Sequence, residues 1–111
     1  RIASFKRYNQ RLQNIDNIIT PCYHVDTIPF HYCLRIKNNK RFEMINYLRS
    51  KKVDTGIHWQ PNHTFTLFKK NKSGDLSVTN KIKNEILTLP LHSMMSNKDI
   101  DYITSKIKNF F

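Results

Sequence analysis

The stretch Ile28-Pro29-Phe30-His31-Tyr32-Cys33-Leu34-Arg35-Ile36-Lys37 decides the fold. Ile28, Phe30, Tyr32, Leu34 and Ile36 fall on one side of an extended chain, and His31, Cys33, Arg35 and Lys37 on the other. Successive side chains of a strand point to opposite faces, so this period of two predicts a strand with one apolar and one polar face. Such a strand suits an antiparallel sheet covered on one side. Asn38 or Asn39 then stands where it can cap a helix from Lys40 to about Ser50, with Phe42, Ile45 and Leu48 inward. Before the strand, Ile2, Phe5, Leu12 and Ile15 line one side of a helix, with Tyr8 close to that stripe and Lys6, Arg7 and Arg11 opposite. This helix should end before Pro21, near Asn17–Thr20.

Beyond Ser50, Val53 to Trp59 reads as a second, shorter strand, and Gly56 within it points to a bend or a close backbone approach. Gln60 to Phe68 is expected as loop, with room for one helical turn after Asn62. Lys69 to Asp75 is the most polar stretch, and Gly74 makes it an exposed turn. Ser77 can cap a short helix with Val78, Ile82 and Ile86 on one face. Leu87, Leu89 and Leu91 alternate as a last strand, which Pro90 marks as an edge or an end. Ser96, with Asp99 three residues on, has the form of a capping box, and Ile100, Ile103, Ile107 and Phe110 follow at helical spacing. Lys106 and Lys108 lie near the negative pole of that helix. The expected order α-β-α-β-α-β-α makes an α/β two-layer sandwich: a small, mostly antiparallel sheet of three strands covered by helices.

Length and composition bound the possibilities. The chain has 111 residues, enough for one domain and too few for two, and at 39% hydrophobic with seven Phe and five Tyr it can fill a core. Cys22 and Cys33 form no CxxC pair and no disulfide framework, which reads as a reducing, cytoplasmic compartment. No run is long and apolar enough to span a bilayer, so no membrane partner is expected. Arg1 to Arg11 lack the apolar core of a signal peptide, and position 1 is not Met, so the chain reads as a piece beginning inside a longer polypeptide. The formal charge is +11, from 19 Lys+Arg against 8 Asp+Glu. So basic a domain could bind nucleic acid, an anionic surface or phosphorylated ligands. The cations run from Lys6 to Lys108 without forming a patch or stripe, which argues against nucleic acid and leaves a stand-alone nucleic-acid-binding module as the alternative reading.

No constellation completes an active site. Cys22, His24, His31 and Cys33 form a C-x-H and an H-x-C pair, but the spacing matches no structural zinc pattern, and a free thiol beside an exposed imidazole is the plainer reading. The only glycines, at 56 and 74, form no phosphate loop, and the eight acids are scattered. The densest polar-aromatic stretch is Thr55-Gly56-Ile57-His58-Trp59-Gln60-Pro61-Asn62-His63, placed at a strand end where ligand contacts often sit. It can equally be a connecting loop whose Trp59 plugs the core and whose two imidazoles are solvated.

That stretch, together with Glu85-Ile86-Leu87-Thr88-Leu89-Pro90-Leu91-His92 and the helix Ser96–Phe111, resembles the C-terminal domain of the DegT/DnrJ/EryC1/StrS sugar aminotransferases. Three features carry the likeness in order and spacing. They are a strand ending in Gly-Ile-His-aromatic-x-Pro-x-His, a short helix running into Leu-Pro-Leu with a following His and Ser, and a final helix that opens Asp-Ile-Asp-Tyr-Ile. Arg1–Leu12 is similar to the helix that links the large and small domains in that family. The resemblance covers essentially the whole chain and divides it into residues 1–17, an interdomain-type helix, and residues 18–111, the small domain of a fold type I enzyme.

The resemblance implies a pyridoxal-phosphate-dependent enzyme that moves an amino group, typically from glutamate, onto a nucleotide-linked keto-sugar. In that chemistry the cofactor is the electron sink, and a lysine holds it as a Schiff base. The family's lysine, its aspartate partner for the pyridinium and its phosphate cup lie in a large domain that this sequence lacks. Ser96-Asn97-Lys98 caps a helix and is no substitute for the lysine motif. Pyridoxal phosphate is therefore expected in the full-length enzyme and not on this segment alone, which is expected to be inactive. The implied partners are the cofactor-binding large domain, a nucleoside-diphosphate sugar and, for the full enzyme, a second copy. His58 and His63 are implied as hydrogen-bond donors to sugar hydroxyls or diphosphate oxygens, Trp59 and Gln60 as pocket walls, and Arg35 as a more distant candidate.

Overall fold

The computed structural model describes residues 1–71 and 74–111. Four helices and three strands form two layers: α1 (Ile2–Leu12), β1 (Ile18–Ile19), β2 (Tyr32–Ile36), α2 (Arg41–Ser50), α3 (Ser77–Ile82), β3 (Ile86–Leu89) and α4 (Asn97–Phe110). The sheet order is β1-β2-β3, and both pairings are antiparallel. Tyr32 stands opposite Leu89 and Leu34 opposite Leu87. Tyr32, Leu34, Ile36, Leu87 and Leu89 therefore share one face, where Phe5, Tyr8 and Leu12 of α1, Met44 and Leu48 of α2, and Ile100, Ile103 and Ile107 of α4 bury against them.

The α1–α4 contact carries a charged clasp. Arg7 donates to Asp101 through Nε at 2.9 Å and Nη2 at 2.6 Å, and Arg11 Nη2 reaches the same carboxylate at 2.9 Å. The capping box forms as read: Asp99 N–H donates to Ser96 Oγ, and the Asp99 carboxylate accepts from the Ser96 amide at 2.8 Å.

Several expectations are corrected by this architecture. The β2 strand begins at Tyr32, and Ile28 and Phe30, placed inward by the alternation, are 77% and 68% exposed. Pro29 has no N–H to give a ladder, so pairing cannot extend through it. The strand expected over Val53–Trp59 shrinks to a single bridge, Gly56 against Thr88. The third strand is instead β1, formed where α1 stops early at Leu12 and Asn14, Asp16 and Asn17 turn the chain. Lastly, α2 turns by about one residue from the expected face: Arg41, Met44 and Leu48 are buried while Phe42 is exposed. Arg41 donates to the carbonyl of Lys83 and lays its guanidinium over the Phe42 ring at 4.6 Å, which holds that orientation.

Neither Asn38 nor Asn39 caps α2; both take left-handed backbone angles, φ 60° and 57°, which Asn tolerates, and Lys40 occupies the cap position without a side-chain bond. The helical turn after Asn62 exists as a 3₁₀ turn over Asn62–Thr64, and a second runs over Thr66–Asn71. Ser77 is not the cap of α3 but its first residue; its amide and hydroxyl both bond to Asp75. Gly74 takes φ 72°, as an exposed turn requires, while residues 72 and 73 of that expected turn lie outside the described residues.

Two outcomes test this packing. Leu87→Ala should cost about 2–5 kcal/mol in urea unfolding, because it opens the center of the core. Val78→Ala, on a helix that buries nothing, should stay within about 0.5 kcal/mol. Ser96→Ala should lose about 1 kcal/mol at pH 7. The Asp99 carboxyl is held below the usual carboxylate range by the Ser96 hydroxyl and amide. Its contribution is complete above the unfolded-chain value of about 3.9 and is lost as pH falls through the depressed folded value. The gap between Ser96→Ala and the parent should therefore narrow in acid.

Candidate functional site

The open face of the sheet, away from the helices, carries His31, Cys33, Arg35 and Thr88 by the same alternation that buries their neighbours. Its most structured part surrounds the Gly56–Thr88 bridge. Gly56 N–H donates to the Thr88 carbonyl at 2.9 Å, and Thr88 N–H returns a bond to the Gly56 carbonyl at 2.8 Å. The His58 ring folds back across Gly56, so closely that a Cβ on Gly56 would lie 2.3 Å from His58 Cε1. Glycine leaves room for this close approach of the imidazole, which a Cβ would push aside, and is not needed here for its backbone angles.

Three rings roof this region. His31 and His58 stack nearly parallel, with centroids 4.6 Å apart and 12° between planes. Trp59 stands edge-on to His58 at 4.6 Å and to His31 at 6.2 Å, and the His58–Trp59 peptide bond is cis. The two imidazoles border a hollow of about 400 Å³, lined by His31, Asp54, Thr55, Gly56, His58 and the Thr88–Leu91 segment, whereas Trp59 borders a separate hollow with Pro61, Val78, Ile82 and Ile86. Among the described residues no lysine lines the first. Asp54 and Pro90 also border a third hollow of about 530 Å³, where Lys52, His92, Asp99 and Tyr102 meet.

The five residues singled out from sequence part ways. His58 and Trp59 meet, and Trp59 is 72% exposed rather than plugging the core. Gln60 is exposed beside them. His63 is half-buried, and its Nε2 pairs with Asn80 Oδ1 of α3 at 2.9 Å, tying the loop to that helix. Arg35 lies four residues along the strand from His31, about 13 Å away. It is engaged with Glu85, through Nε at 2.8 Å and Nη2 at 2.6 Å. Cys22 and His24 are exposed, and among the described residues no three His, Cys, Asp or Glu side chains converge to hold a metal ion. Among the described residues no helix is long and apolar enough to cross a membrane.

Sequence reasoning missed Thr88 and gave His31 only to the zinc pattern. Thr88 stands between two core leucines and so had to face outward. His31 is the polar-face residue closest to the strand's start. Parity therefore signalled both, but only the bridge to Gly56 shows that they share a site.

Comparison with known proteins shows what the chain as a whole is similar to. A model of the DegT/DnrJ/EryC1/StrS aminotransferase family matches residues 1–108. The spore coat polysaccharide biosynthesis protein SpsC of Bacillus subtilis is 29% identical over 113 residues, spanning 93% of this chain and 29% of that protein. The crystal structure of a DegT DnrJ EryC1 StrS aminotransferase from Brucella abortus superposes with a TM-score of 0.79 at 26% identity, over 98% of this chain and 30% of the other. Helicobacter pylori PseC, an aminotransferase involved in the biosynthesis of pseudoaminic acid, shares the fold with a TM-score of 0.88 at 12% identity, over 99% and 31%. The chain thus spans less than a third of the length of these relatives. Matched from its first helix to its last, the chain belongs to the DegT/DnrJ/EryC1/StrS aminotransferase family.

Proposed function

We propose that this chain is the C-terminal small domain of a pyridoxal-phosphate-dependent aminotransferase that transfers an amino group, from glutamate, to a nucleotide-linked keto-sugar. The observation that carries the reading is the family match over residues 1–108, coinciding with a hollow built from the loop the resemblance singles out. In this reading α1 joins the small domain to the large one, and the working enzyme is a cytoplasmic homodimer.

The residues of this chain do not fit pyridoxal phosphate. Among the described residues no lysine faces the His31–His58–Thr88 hollow, and the two glycines at 56 and 74 build no phosphate-binding turn. We therefore assign the cofactor's attachment to protein outside this segment, and give this chain the work of binding and orienting the sugar. His58 presents its imidazole to the ligand. Trp59 walls the site with an exposed indole, and Gln60 lies at its edge. His63, held at Nε2 by Asn80, has Nδ1 left for a ligand oxygen. Arg35 is bound to Glu85 and would have to exchange that carboxylate for a diphosphate oxygen to take part. Arg7, Arg11 and Lys40 are likewise paired with carboxylates.

The test is a chimera in which residues 1–108 replace the matching segment of an active family member. It should turn over a nucleoside-diphosphate keto-sugar, and His58→Ala should lower kcat/KM for that sugar about 5- to 150-fold, the usual range for losing one ligand hydrogen bond. The half-reaction with glutamate should be unchanged. A chimera that folds, binds cofactor and consumes glutamate but is indifferent to His58→Ala, Trp59→Ala and His63→Ala would sink the reading. The chain alone, mixed with pyridoxal phosphate, should give no specific lysine-linked chromophore; appearance of one would move the cofactor site onto this segment.

A further inference from the structure

His63 is anchored from outside its own loop. It sits in the 3₁₀ turn Asn62–Thr64, whose remaining hydrogen bonds are local. The Thr64 amide and hydroxyl both donate to the Pro61 carbonyl, at 2.9 and 2.7 Å, and the Phe65 amide donates to the Asn62 carbonyl at 3.0 Å. Among the described residues, the bond between His63 Nε2 and Asn80 Oδ1 at 2.9 Å is the one that joins this turn to another element. Both residues are half-buried, so water competes with that bond less than on an open surface. Asn80 has little helical reason for its place. Asparagine is a poor residue for a helix interior, because its carboxamide competes for backbone partners. In α3 the Asn80 carboxamide bonds to the imidazole instead.

The chemistry of that bond fixes the ring. A carboxamide oxygen only accepts, so Nε2 is the nitrogen that carries the proton. In a neutral imidazole the other nitrogen is then an acceptor, and Nδ1 keeps its lone pair. Nδ1 has no partner within the chain and is not sealed from solvent, so a ligand can reach it. That lone pair takes a hydrogen bond from a hydroxyl. A diphosphate oxygen, itself only an acceptor, finds no proton there.

We propose that Asn80 is a positioning residue: by holding His63 in the Nε2–H tautomer it makes Nδ1 an acceptor for a ligand hydroxyl and not a donor to the ligand's phosphates. The inference rests on the reading above, from which it takes that His63 contacts the nucleotide sugar. It adds a residue that touches no ligand and sets, through the imidazole, which ligand group His63 can bind.

The first experiment is a long-range proton–nitrogen NMR correlation on the isotope-labelled 111-residue chain, at a pH about two units above the ordinary imidazole value of about 6.5. His63 should appear as a single tautomer with its proton on Nε2. Asn80→Leu removes the acceptor at similar size and should let the ring exchange between both tautomers. Asn80→Asp keeps an acceptor oxygen in reach and should retain the Nε2–H form, which separates loss of the bond from loss of the fold. Dimethyl phosphate, an anion that only accepts, should leave both His63 nitrogens unmoved. A parent ring that is mixed or carries its proton on Nδ1 overturns the proposal. So does an unchanged tautomer in Asn80→Leu, a mixed ring in Asn80→Asp, or a saturable shift of Nδ1 with dimethyl phosphate.

The second experiment uses the chimera. Asn80→Leu should lower kcat/KM for the nucleoside-diphosphate keto-sugar about 2- to 10-fold, the size of one ordinary hydrogen bond. Combined with His63→Ala it should add nothing further, because Asn80 acts only through the ring. The two readings fail separately: an active chimera in which the two losses add removes this inference alone. A His63 held by Asn80 beside a chimera that cannot use nucleotide sugars removes only the enzymatic reading.

Discussion

The pairing of Leu34 with Leu87 and of Tyr32 with Leu89 fixes which side chains of β2 and β3 meet the helices and which remain on the open face. Because side chains alternate, a slip of one residue would drive Cys33 and Thr88 into the core and turn Tyr32 and Leu87 out. Tyr32 enforces the register beyond its own burial. Its ring stacks on Tyr8 at 4.5 Å, its hydroxyl donates to Asn9 Oδ1 at 2.8 Å, and the Tyr8 hydroxyl donates to the Pro90 carbonyl at 3.0 Å. One pair of tyrosines thus ties α1 to β2 and to the end of β3, with both buried hydroxyls satisfied. Burial pushes both phenols above their ordinary range, so the contact carries no charge at neutral pH.

Where one physical rule dominated, the sequence was readable. The capping box of α4 and its Ile100–Ile103–Ile107 stripe emerge as read, because a polar cap followed by an amphipathic run leaves no competing arrangement. The alternation of β2 holds from Tyr32 to Ile36 and the Leu87–Leu89 pattern holds in β3. The misses fall where two rules competed. Ile28 and Phe30 keep perfect period two, but Pro29 between them removes a ladder donor. Phe42 and Arg41 are adjacent on α2, and hydropathy alone favours burying Phe42; the Lys83 carbonyl, set by a distant segment, favours Arg41. Local pattern cannot see that carbonyl.

The site was legible as a stretch of sequence but not as a set of contacts. His58 and Trp59 are neighbours in the chain, and their meeting needed no tertiary information. Assigning Arg35 to the same site required knowing how far along β2 the loop would sit, and Glu85 enters the question only through the Arg35–Ile86 register. Thr88 is the converse case. Parity set it on the open face between two core leucines, and its burial follows only from the tertiary structure around the bridge to Gly56.

The two sides of the sheet differ in how completely their polar groups are matched. Toward the helices, the Tyr8, Tyr32 and Thr104 hydroxyls all find partners. Toward the open side, Thr88 Oγ1 and His58 Nδ1 do not, and the only other such buried atom is Nε of Arg41, whose guanidinium is otherwise held by Lys83 among the described residues. Trp59, Phe65, Leu67 and Val78 are also in the open, along a stretch with two 3₁₀ turns and a helix that bury no residue. A core that satisfies itself so fully on one face has no stability reason to leave hydrogen-bonding atoms orphaned on the other, or apolar rings in the open. Those features cost stability without a compensating contact in the chain itself.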